Sequence, residues 1–427
     1  MTTVGNEPSR SPKQMSGRAT FVVLVGGTFG LQGLTVVTGV ITARLLGVEG
    51  RGIVALVFAL GLLASQLTLG GSLPTALAKN LAERHVGARD GLRGIVRSRA
   101  WLILLPCIVA AGFMLWLHRS DAGSDRLSLA AIMFAITLQT ILSRLLIASL
   151  QGEAGHLLRM IVVALIPQFL FAVALTTTFL AGWQWSTTDV LLSSFAASVI
   201  GNVIGFAALA RPTHRREDRL DERHLWRDTR TTYVSSVRPL DSLGLDRILV
   251  GTFLGNAALG LYAAAIAVGN LCGTVGNAVS VIVLPQVAQN HADPDAQRAV
   301  ARRWLLVTVG LVIMIVVSLQ IVVAPVIRLA FGTDFEGAIG TARWLILADG
   351  FFGIRKVLIS ILQGQGRGGT ASWIELALTP VLVLGIGAAS LTDNLPAVGM
   401  TMLAVGVLSC LALGIALRSR APKRAHR

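Results

Sequence analysis

The sequence predicts an all-α polytopic membrane protein with about twelve transmembrane helices, arranged as two parallel six-helix lobes around a central cavity. Three observations predict this: an apolar composition, recurrent long apolar runs and an internal repeat. Of the 427 residues, 53% are hydrophobic and 14% are charged, and the mean hydropathy is +0.70. A soluble domain is about 25% charged. Many apolar runs reach the ~18 residues that a helix needs to cross a bilayer, and they are continuous rather than alternating, which excludes a transmembrane barrel.

The apolar runs define twelve predicted spans. The first run follows a polar, basic segment and is too long for the core of a signal peptide, so we expect it to be retained. We therefore divide the chain into an N-terminal tail (1–18), an N-lobe (19–210), a charged linker (211–231), a C-lobe (232–417) and a basic tail (418–427). The spans are 19–46, 52–78, 97–117, 127–150, 157–181, 188–210, 232–254, 258–288, 303–325, 338–363, 370–391 and 395–417.

The positions of the basic residues predict the orientation in the membrane. The formal net charge is +15, and most Lys and Arg fall in the two tails and in segments 79–99 and 211–230. Twelve spans place all of these segments on one side, and the positive-inside rule identifies that side as the cytoplasm. We expect a multi-pass protein of the cytoplasmic (inner) membrane with both termini inside. The basic charge then reflects topology and attraction to lipid headgroups, and no nucleic-acid partner is expected.

Cysteine and histidine give no sign of a metal site, a disulfide framework or a cofactor. The three cysteines, Cys107, Cys272 and Cys410, all fall within predicted spans and form no CxxC pair. The seven histidines show neither HxxxH nor HExxH spacing. We interpret the cysteines as small packing residues.

Two pairs of similar segments reveal an internal repeat. "RLLIASLQGEAGH" (144–156) matches "KVLISILQGQGRG" (356–368), with Arg144 opposite Lys356. "LLGVEGRGIVAL" (45–56) matches "FLGNAALGLYAA" (253–264), so that a glycine pair recurs in the turn after spans one and seven: Gly47 and Gly52, then Gly255 and Gly260. Because each half holds an even number of spans, both halves enter the membrane with the same orientation. A parallel repeat of this kind is typical of secondary transporters and favours alternating access through a cleft between the lobes.

The same segments also carry a family resemblance. "ARLLGVEGRGIVAL", "PTALAKNLAE" and "LDRILVGTFLGNAALGLYAAA" resemble polysaccharide-biosynthesis membrane proteins, the oligosaccharide-flippase branch of the multidrug/oligosaccharidyl-lipid/polysaccharide (MOP) exporter superfamily. The resemblance implies two six-helix lobes around a cavity. It also implies translocation of a polyprenyl-diphosphate-linked oligosaccharide from the inner to the outer leaflet, for surface polysaccharide biosynthesis. The implied partners are that lipid-linked glycan, membrane lipids and the glycan polymerase or glycosyltransferase machinery.

Span seven carries four charges in an apolar setting: Arg238, Asp241, Asp246 and Arg247. A charge at the bilayer centre costs about 2.5–3.5 kcal/mol on insertion scales, so such groups pair, reach an interface or face a cavity. Pro239 and Gly244 interrupt the span, as in the broken helices that line transporter cavities. Internal Arg–Asp pairing and lining of the transport pathway both remain open.

Four bases are candidates for binding the diphosphate: Arg144, Arg247, Arg355 and Lys356. The repeat places Arg144 and Lys356 at equal depth in opposite lobes, and Arg binds phosphate oxygens through its two-pronged fork. We expect Arg144, Arg355 and Lys356 to hold the diphosphate from both lobes, with Arg247 above them. The alternative for Arg144 and Lys356 is that each side chain snorkels to the cytoplasmic interface.

Three further polar residues lie within predicted spans. Asp349, near the middle of span ten, either exchanges a coupling proton or sodium ion or pairs with a nearby base. Asn270 and Asn277, seven residues apart on one face of span eight, either contact sugar hydroxyls or belong to a close-packed stripe of small residues.

Two other functions compete with the flippase. A drug or cation antiporter of the same superfamily would favour acids in its cavity, whereas the deep candidates here have a small excess of bases. A membrane glycan polymerase or acyltransferase would need catalytic groups on an outer loop. Every predicted outer loop is short, and none contains GxSxG or HxxxxD. We therefore expect a transporter and not an enzyme.

Overall fold

A computed structural model describes most of the chain and shows a bundle of helices. The described residues are 17–69, 72–84, 89, 92, 95–97, 100–119, 123–152, 157–209, 225–230, 233, 240, 244–289 and 293–419, and this part contains no β-strand. The α-helices are α1 (Gly17–Leu69), α2 (Ser72–Arg84), α3 (Ala100–Leu117), α4 (Gly123–Gly152), α5 (Leu157–Leu180), α6 (Thr187–Ala208), α7 (Leu245–Phe253), α8 (Gly255–Gln289), α9 (Pro294–Ala330), α10 (Ala338–Gly364), α11 (Gly368–Ser390) and α12 (Leu395–Arg418), with a 3₁₀ turn at Thr333–Phe335.

The helices confirm the all-α membrane fold. Within the described residues, nine helices are long and apolar enough to cross a membrane, and they account for ten of the twelve predicted spans. The first of them, α1, holds spans one and two. It is broken at Gly47, whose φ of 68° and ψ of −168° are not helical. The tenth span is α10, which has the length of a span but carries Asp349, Arg355 and Lys356.

Each half of the chain packs around its own helices before the halves meet. In the first half α3 packs on α4, and α5 packs on both α6 and the first limb of α1. In the second half α10 is central, in contact with α8, α9 and α12. The halves join mainly where α1 packs against α8, and one buried cluster of side chains runs from Leu56 and Val57 into Leu259 and Ala264.

The two repeat glycine turns contact each other, and we call this contact the glycine seam (Gly47, Val48, Gly52, Gly255, Asn256 and Gly260). A Cβ atom on Gly52 would lie 2.7 Å from the carbonyl carbon of Asn256, and one on Gly260 would lie 2.8 Å from that of Val48. These are equivalent positions in the two repeats, so the contact is reciprocal. Reciprocity of this kind is what a two-fold axis between two copies produces.

Backbone conformation explains why the seam requires glycine. Gly47 and Gly255 both have positive φ, 68° and 88°, which side chains with a Cβ rarely adopt. Next to the seam, Arg44 of α1 donates hydrogen bonds to the carbonyls of Leu329 (2.5 Å) and Ala330 (2.9 Å), the last residues of α9. A cation here complements the negative end of the helix dipole. The lobes are therefore closed against each other at this end.

Span seven is only partly described. Its helix α7 begins at Leu245, immediately after Gly244, whose φ is 58°. The predicted interruption at Gly244 is therefore confirmed, whereas Pro239, Arg238 and Asp241 lie outside the described residues. The linker 211–231 is described only at 225–230, and both tails lie almost entirely outside, so the proposed domain boundaries stay predictions.

Candidate functional site

A cavity of about 380 Å³ lies between the two lobes. Both limbs of α1 and helices α4, α5 and α6 form most of its wall, and α7 and α8 close it from the second lobe. Its volume is at the lower end of the range of about 300–1,000 Å³ that small-molecule sites occupy.

The cavity is basic and rich in hydrogen-bonding groups. Arg51, Arg144 and Arg247 line it, and its lining in the described part of the chain includes no Asp or Glu. The other polar lining residues carry hydroxyl or amide groups: Gln32, Thr35, Thr38, Thr42, Gln139, Thr140, Ser143, Gln168, Ser194, Ser198, Asn202 and Asn270. Such a surface can hold an anion that also carries many hydroxyl groups.

The Arg51 side chain fits at the cavity wall because the residue opposite it, Gly39, has no side chain. A Cβ on Gly39 would lie 3.1 Å from a terminal nitrogen of Arg51, so glycine makes room for the guanidinium. The Nε of Arg51 is buried and has no hydrogen-bond partner among the described residues. Arg247 is close enough to interact electrostatically with Arg51. Two like charges that interact across the cavity leave a site that an anion would stabilise.

The structure brings together only part of the predicted diphosphate site. Arg144 on α4 and Arg247 on α7 both line the cavity, one from each lobe. Lys356, the repeat partner of Arg144, is half-buried on α10 and is not among the lining residues; it interacts electrostatically with Asp349. The symmetric placement that the repeat predicts therefore does not extend to the cavity wall.

Arg355 departs from its expected position. Its side chain is fully buried between α10 and α11, where it forms an ion pair with Glu375 at 3.0 Å. The guanidinium also lies 5.2 Å from the centre of the Phe352 ring. A charge taken fully out of water requires such a partner. Because the ion pair with Glu375 holds Arg355 inside the second lobe, the expectation that Arg355 faces the diphosphate is not met.

The two described candidate acids contact groups within the second lobe. Asp246 on α7 accepts a hydrogen bond of 2.9 Å from the hydroxyl of Tyr262, which is fully buried on α8. Asp349 on α10 packs against Gly269 of α8, where any Cβ would overlap its carboxylate. Asp349 interacts electrostatically with Asp246 and with Arg247. Neither acid is among the residues that line the cavity.

The two candidate asparagines have different surroundings. Asn270 lines the cavity from α8. Asn277 is not among the lining residues. At the neighbouring residue, α8 packs tightly against α10, because a Cβ on Gly276 would overlap the backbone of Gly353 in α10. Sugar contact therefore stays a proposal for Asn270, and the surroundings of Asn277 are those of close helix packing.

A protein-family model decides the family of this chain. The model described as "Polysaccharide biosynthesis protein" matches residues 17–291, which is more than half of the chain. The chain belongs to the polysaccharide biosynthesis protein family. No curated protein sequence matches it.

Solved structures show the fold of this family member. It resembles the lipid II flippase MurJ in an inward closed conformation, with a TM-score of 0.72 and 14% identity over 93% of this chain and 88% of the other. It also resembles a multidrug-resistance MATE transporter of the MOP superfamily in its inward-facing conformation, with a TM-score of 0.68 and 13% identity over 95% of this chain and 96% of the other. An outward-facing MATE structure gives a TM-score of 0.59 and 15% identity, over 93% and 94%. The fold of this chain is therefore the one that these solved structures share.

Three cavity residues of this polysaccharide biosynthesis family member escaped the sequence analysis. Arg51 looks like an outer-loop base because it follows the Gly47 turn closely, although helix α1 resumes there. Asn202 sits in the "GNVIG" stripe of α6, where small residues suggest packing alone. Gln139 is an amide in the middle of an apolar span, and this position is the sequence feature that could identify it as a cavity residue. The side chain of Gln139 is only 8% exposed, and its Nε2 has no partner among the described residues.

Proposed function

We propose that this protein moves a polyprenyl-diphosphate-linked oligosaccharide from the inner to the outer leaflet of the cytoplasmic membrane by alternating access, for surface polysaccharide biosynthesis. The observation that carries the proposal is the charge of the cavity: three arginines, no acid among its described lining residues, and a dozen hydroxyl or amide side chains. A diphosphate carries several anionic oxygens, and a glycan carries many hydroxyl groups, so the substrate and the cavity are complementary.

The arginines line the cavity with no acidic side chain among its described lining residues. An arginine within a span costs several kcal/mol unless it is paired or solvated. Arg355 shows the structural solution in this same molecule, because it pairs with Glu375. Arg144 and Arg247 face the cavity from opposite lobes, and Arg247 also interacts electrostatically with Asp349. We assign these two and Arg51 to the diphosphate, since Arg–phosphate hydrogen bonds are charge-assisted and often bidentate.

Two further roles complete the proposal. Asp246 and Asp349 are the candidate groups for ion or proton coupling, because they lie next to the cavity on helices α7 and α10 of the second lobe. Lys356 is the base that balances Asp349. Arg238 and Asp241 remain candidates for internal pairing. The glycan polymerase or glycosyltransferase machinery is the expected partner at the membrane.

Ligand binding to the purified protein tests the charge of the cavity. We expect inorganic pyrophosphate to bind, and R144Q and R247Q each to weaken it by about 10- to 100-fold, because a hydrogen bond to a charged group contributes ~1.5–3 kcal/mol. The matched control is R303Q, which removes an exposed arginine from α9. Binding of the cation tetraphenylphosphonium in place of pyrophosphate would favour the cation antiporter, whose fold is also similar.

The cellular test measures the cargo itself. Deletion of the gene should raise the pool of polyprenyl-diphosphate-linked glycan in lipid extracts, measured by mass spectrometry, and lower the surface polysaccharide. The mass of the accumulated species would identify the sugar unit. Unchanged lipid pools together with new sensitivity to cationic dyes would contradict the proposal.

A further inference from the structure

A second, apolar cavity adjoins the basic one on the side of the first lobe. It has a volume of about 670 Å³ and lies between α4, α6 and the described residues Leu92, Val96 and Arg97. Its wall includes Leu142 and Leu146 of α4, which lie on one helical face with Gln139, and Val199, Val203 and Phe206 of α6, which lie on one face with Asn202. We call this cavity the apolar groove.

The groove opens towards the lipid. Val203 of α6 is 64% exposed, and Val96, which directly precedes the third predicted span, is 38% exposed, although both side chains are apolar. Under the predicted topology, this stretch of α4 and α6 lies in the cytoplasmic half of the membrane. Basic groups surround it: Arg97 is part of the lining, and the guanidinium of Arg89 lies 4.7 Å from the centre of the Phe206 ring. Cations at this depth suit a lipid phosphate.

Two residues belong to both cavities. Gln139 and Asn202 line the basic cavity and the apolar groove alike, so they form a neck between them. Ser143 fixes Asn202 by donating a 2.9 Å hydrogen bond to its Oδ1. The Nδ2 of Asn202 and the Nε2 of Gln139 are both buried without an acceptor among the described residues. Buried amide donors without partners are costly, and here they point to an acceptor that a ligand supplies.

We propose that the apolar groove holds the isoprenoid tail of the transported lipid while its diphosphate extends from the neck to the arginines of the basic cavity and its glycan fills the rest of that cavity. This inference rests on the proposed function and names the path that the substrate takes within the protein. A molecule that occupies both spaces must have an anionic head rich in hydroxyls, an acceptor-rich junction and a long apolar tail. A lipid-linked diphosphate has these three parts in this order.

The physical role of the groove is orientation rather than affinity. Lipid tails are as apolar as the groove, so moving a tail from the bilayer into it releases little hydrophobic free energy. The groove provides a lateral opening. The tail can lie in the groove and continue into the adjoining lipid while the head enters the protein. Blocking the groove should therefore spare binding of a free head group and impair only ligands that carry a tail.

The test maps where a tailed diphosphate lies. The probe is a benzophenone-bearing analogue of farnesyl diphosphate, photo-crosslinked to the whole protein in nanodiscs and located by peptide mass spectrometry. We expect labels on the α4 and α6 segments of the groove, displaced by excess inorganic pyrophosphate. V203W should lower this labelling about tenfold because its indole fills the groove. The matched control V317W, at a 55% exposed valine on α9 that lines neither cavity, should leave it unchanged.

The outcomes separate this inference from the function on which it rests. If pyrophosphate does not bind the wild-type protein, the proposed function fails. If pyrophosphate binds but the label lies elsewhere, or V203W labels like V317W, the groove is not the tail site and only this inference fails. Label in the groove that phospholipid displaces and pyrophosphate does not would show that it holds bulk lipid, which also overturns the inference. Unchanged pyrophosphate affinity in V203W shows that the variant is folded.

Discussion

Replacing Gly260 by alanine should push the two lobes apart at the glycine seam. The added Cβ would overlap the carbonyl oxygen of Val48 and would lie 2.8 Å from its carbonyl carbon, about 0.7 Å inside the ~3.5 Å optimum for carbon–carbon contact. The obstacle is backbone, which no rotamer change can move. Overpacking of this kind costs about 1–3 kcal/mol. Because the contact joins the lobes and lies in neither of them, this cost falls on the closed arrangement and shifts its equilibrium by about 5- to 150-fold.

Distances between spin labels measure the shift. Glu49 and Ala257 are exposed, occupy equivalent repeat positions beside the seam, and can each be changed to cysteine. The native cysteines are removed first; two are buried and Cys410 is half-buried. Pulsed electron paramagnetic resonance should give a short distance in the otherwise unchanged protein and a larger population at long distance in G260A.

The control substitution must change helix propensity by the same amount as G260A. G273A places the same methyl group on the same helix, α8, where nothing lies within 4 Å of the new Cβ. Both substitutions gain the roughly 1 kcal/mol by which alanine exceeds glycine in a helix. Identical distance distributions in G260A and G273A would refute the reasoning, since they would show that the lobes do not bear on each other at the seam.

Three further predictions concern stability and are measured as thermal unfolding in detergent. R355M should destabilise the protein by about 3–5 kcal/mol, because it leaves Glu375 buried without its cation, and the double variant R355M/E375L should recover most of this loss. Y262F should cost about 1–3 kcal/mol, because Asp246 then loses the hydroxyl that donates to it. S186A should cost about 1 kcal/mol, because it removes the N-cap of α6 and half of a capping box.

Each of these three has a result that would count against it. A double variant no more stable than R355M would mean that the pair is not an isolated unit. An unchanged melting temperature in Y262F would mean that water or another donor already serves the Asp246 carboxylate. For S186A, the comparison is S390A on α11, whose hydroxyl only returns to a carbonyl of its own helix; equal effects would remove the capping argument.

The sequence predicts the helices and the repeat because both depend on local patterns of residues. The predicted spans 338–363 and 395–417 agree with α10 and α12 to within a residue at each end. The glycine pairs were recognised as equivalent turns from spacing alone. Their mutual contact was not foreseen, since similarity between two segments says nothing about whether they meet.

The sequence predicts less of the site because charged side chains pair with partners on other helices. Arg355 and Glu375 are twenty residues apart on different helices, and no periodicity relates them. The repeat suggested that Arg144 and Lys356 would have equivalent surroundings. The structure places Arg144 on the cavity and Lys356 beside Asp349, so two positions that match in sequence have different neighbours.

The reciprocal form of the glycine seam bears on how such a chain arose. Each half contributes one glycine and one carbonyl, so two separate copies of an ancestral six-helix chain could make the same contact as a homodimer. In such a dimer every mutation appears twice, and neither side of the cavity can change alone. Gene duplication and fusion remove that constraint while the seam keeps the halves in register. One half could then keep an arginine at the cavity, Arg144, while its counterpart, Lys356, became free to balance an acid.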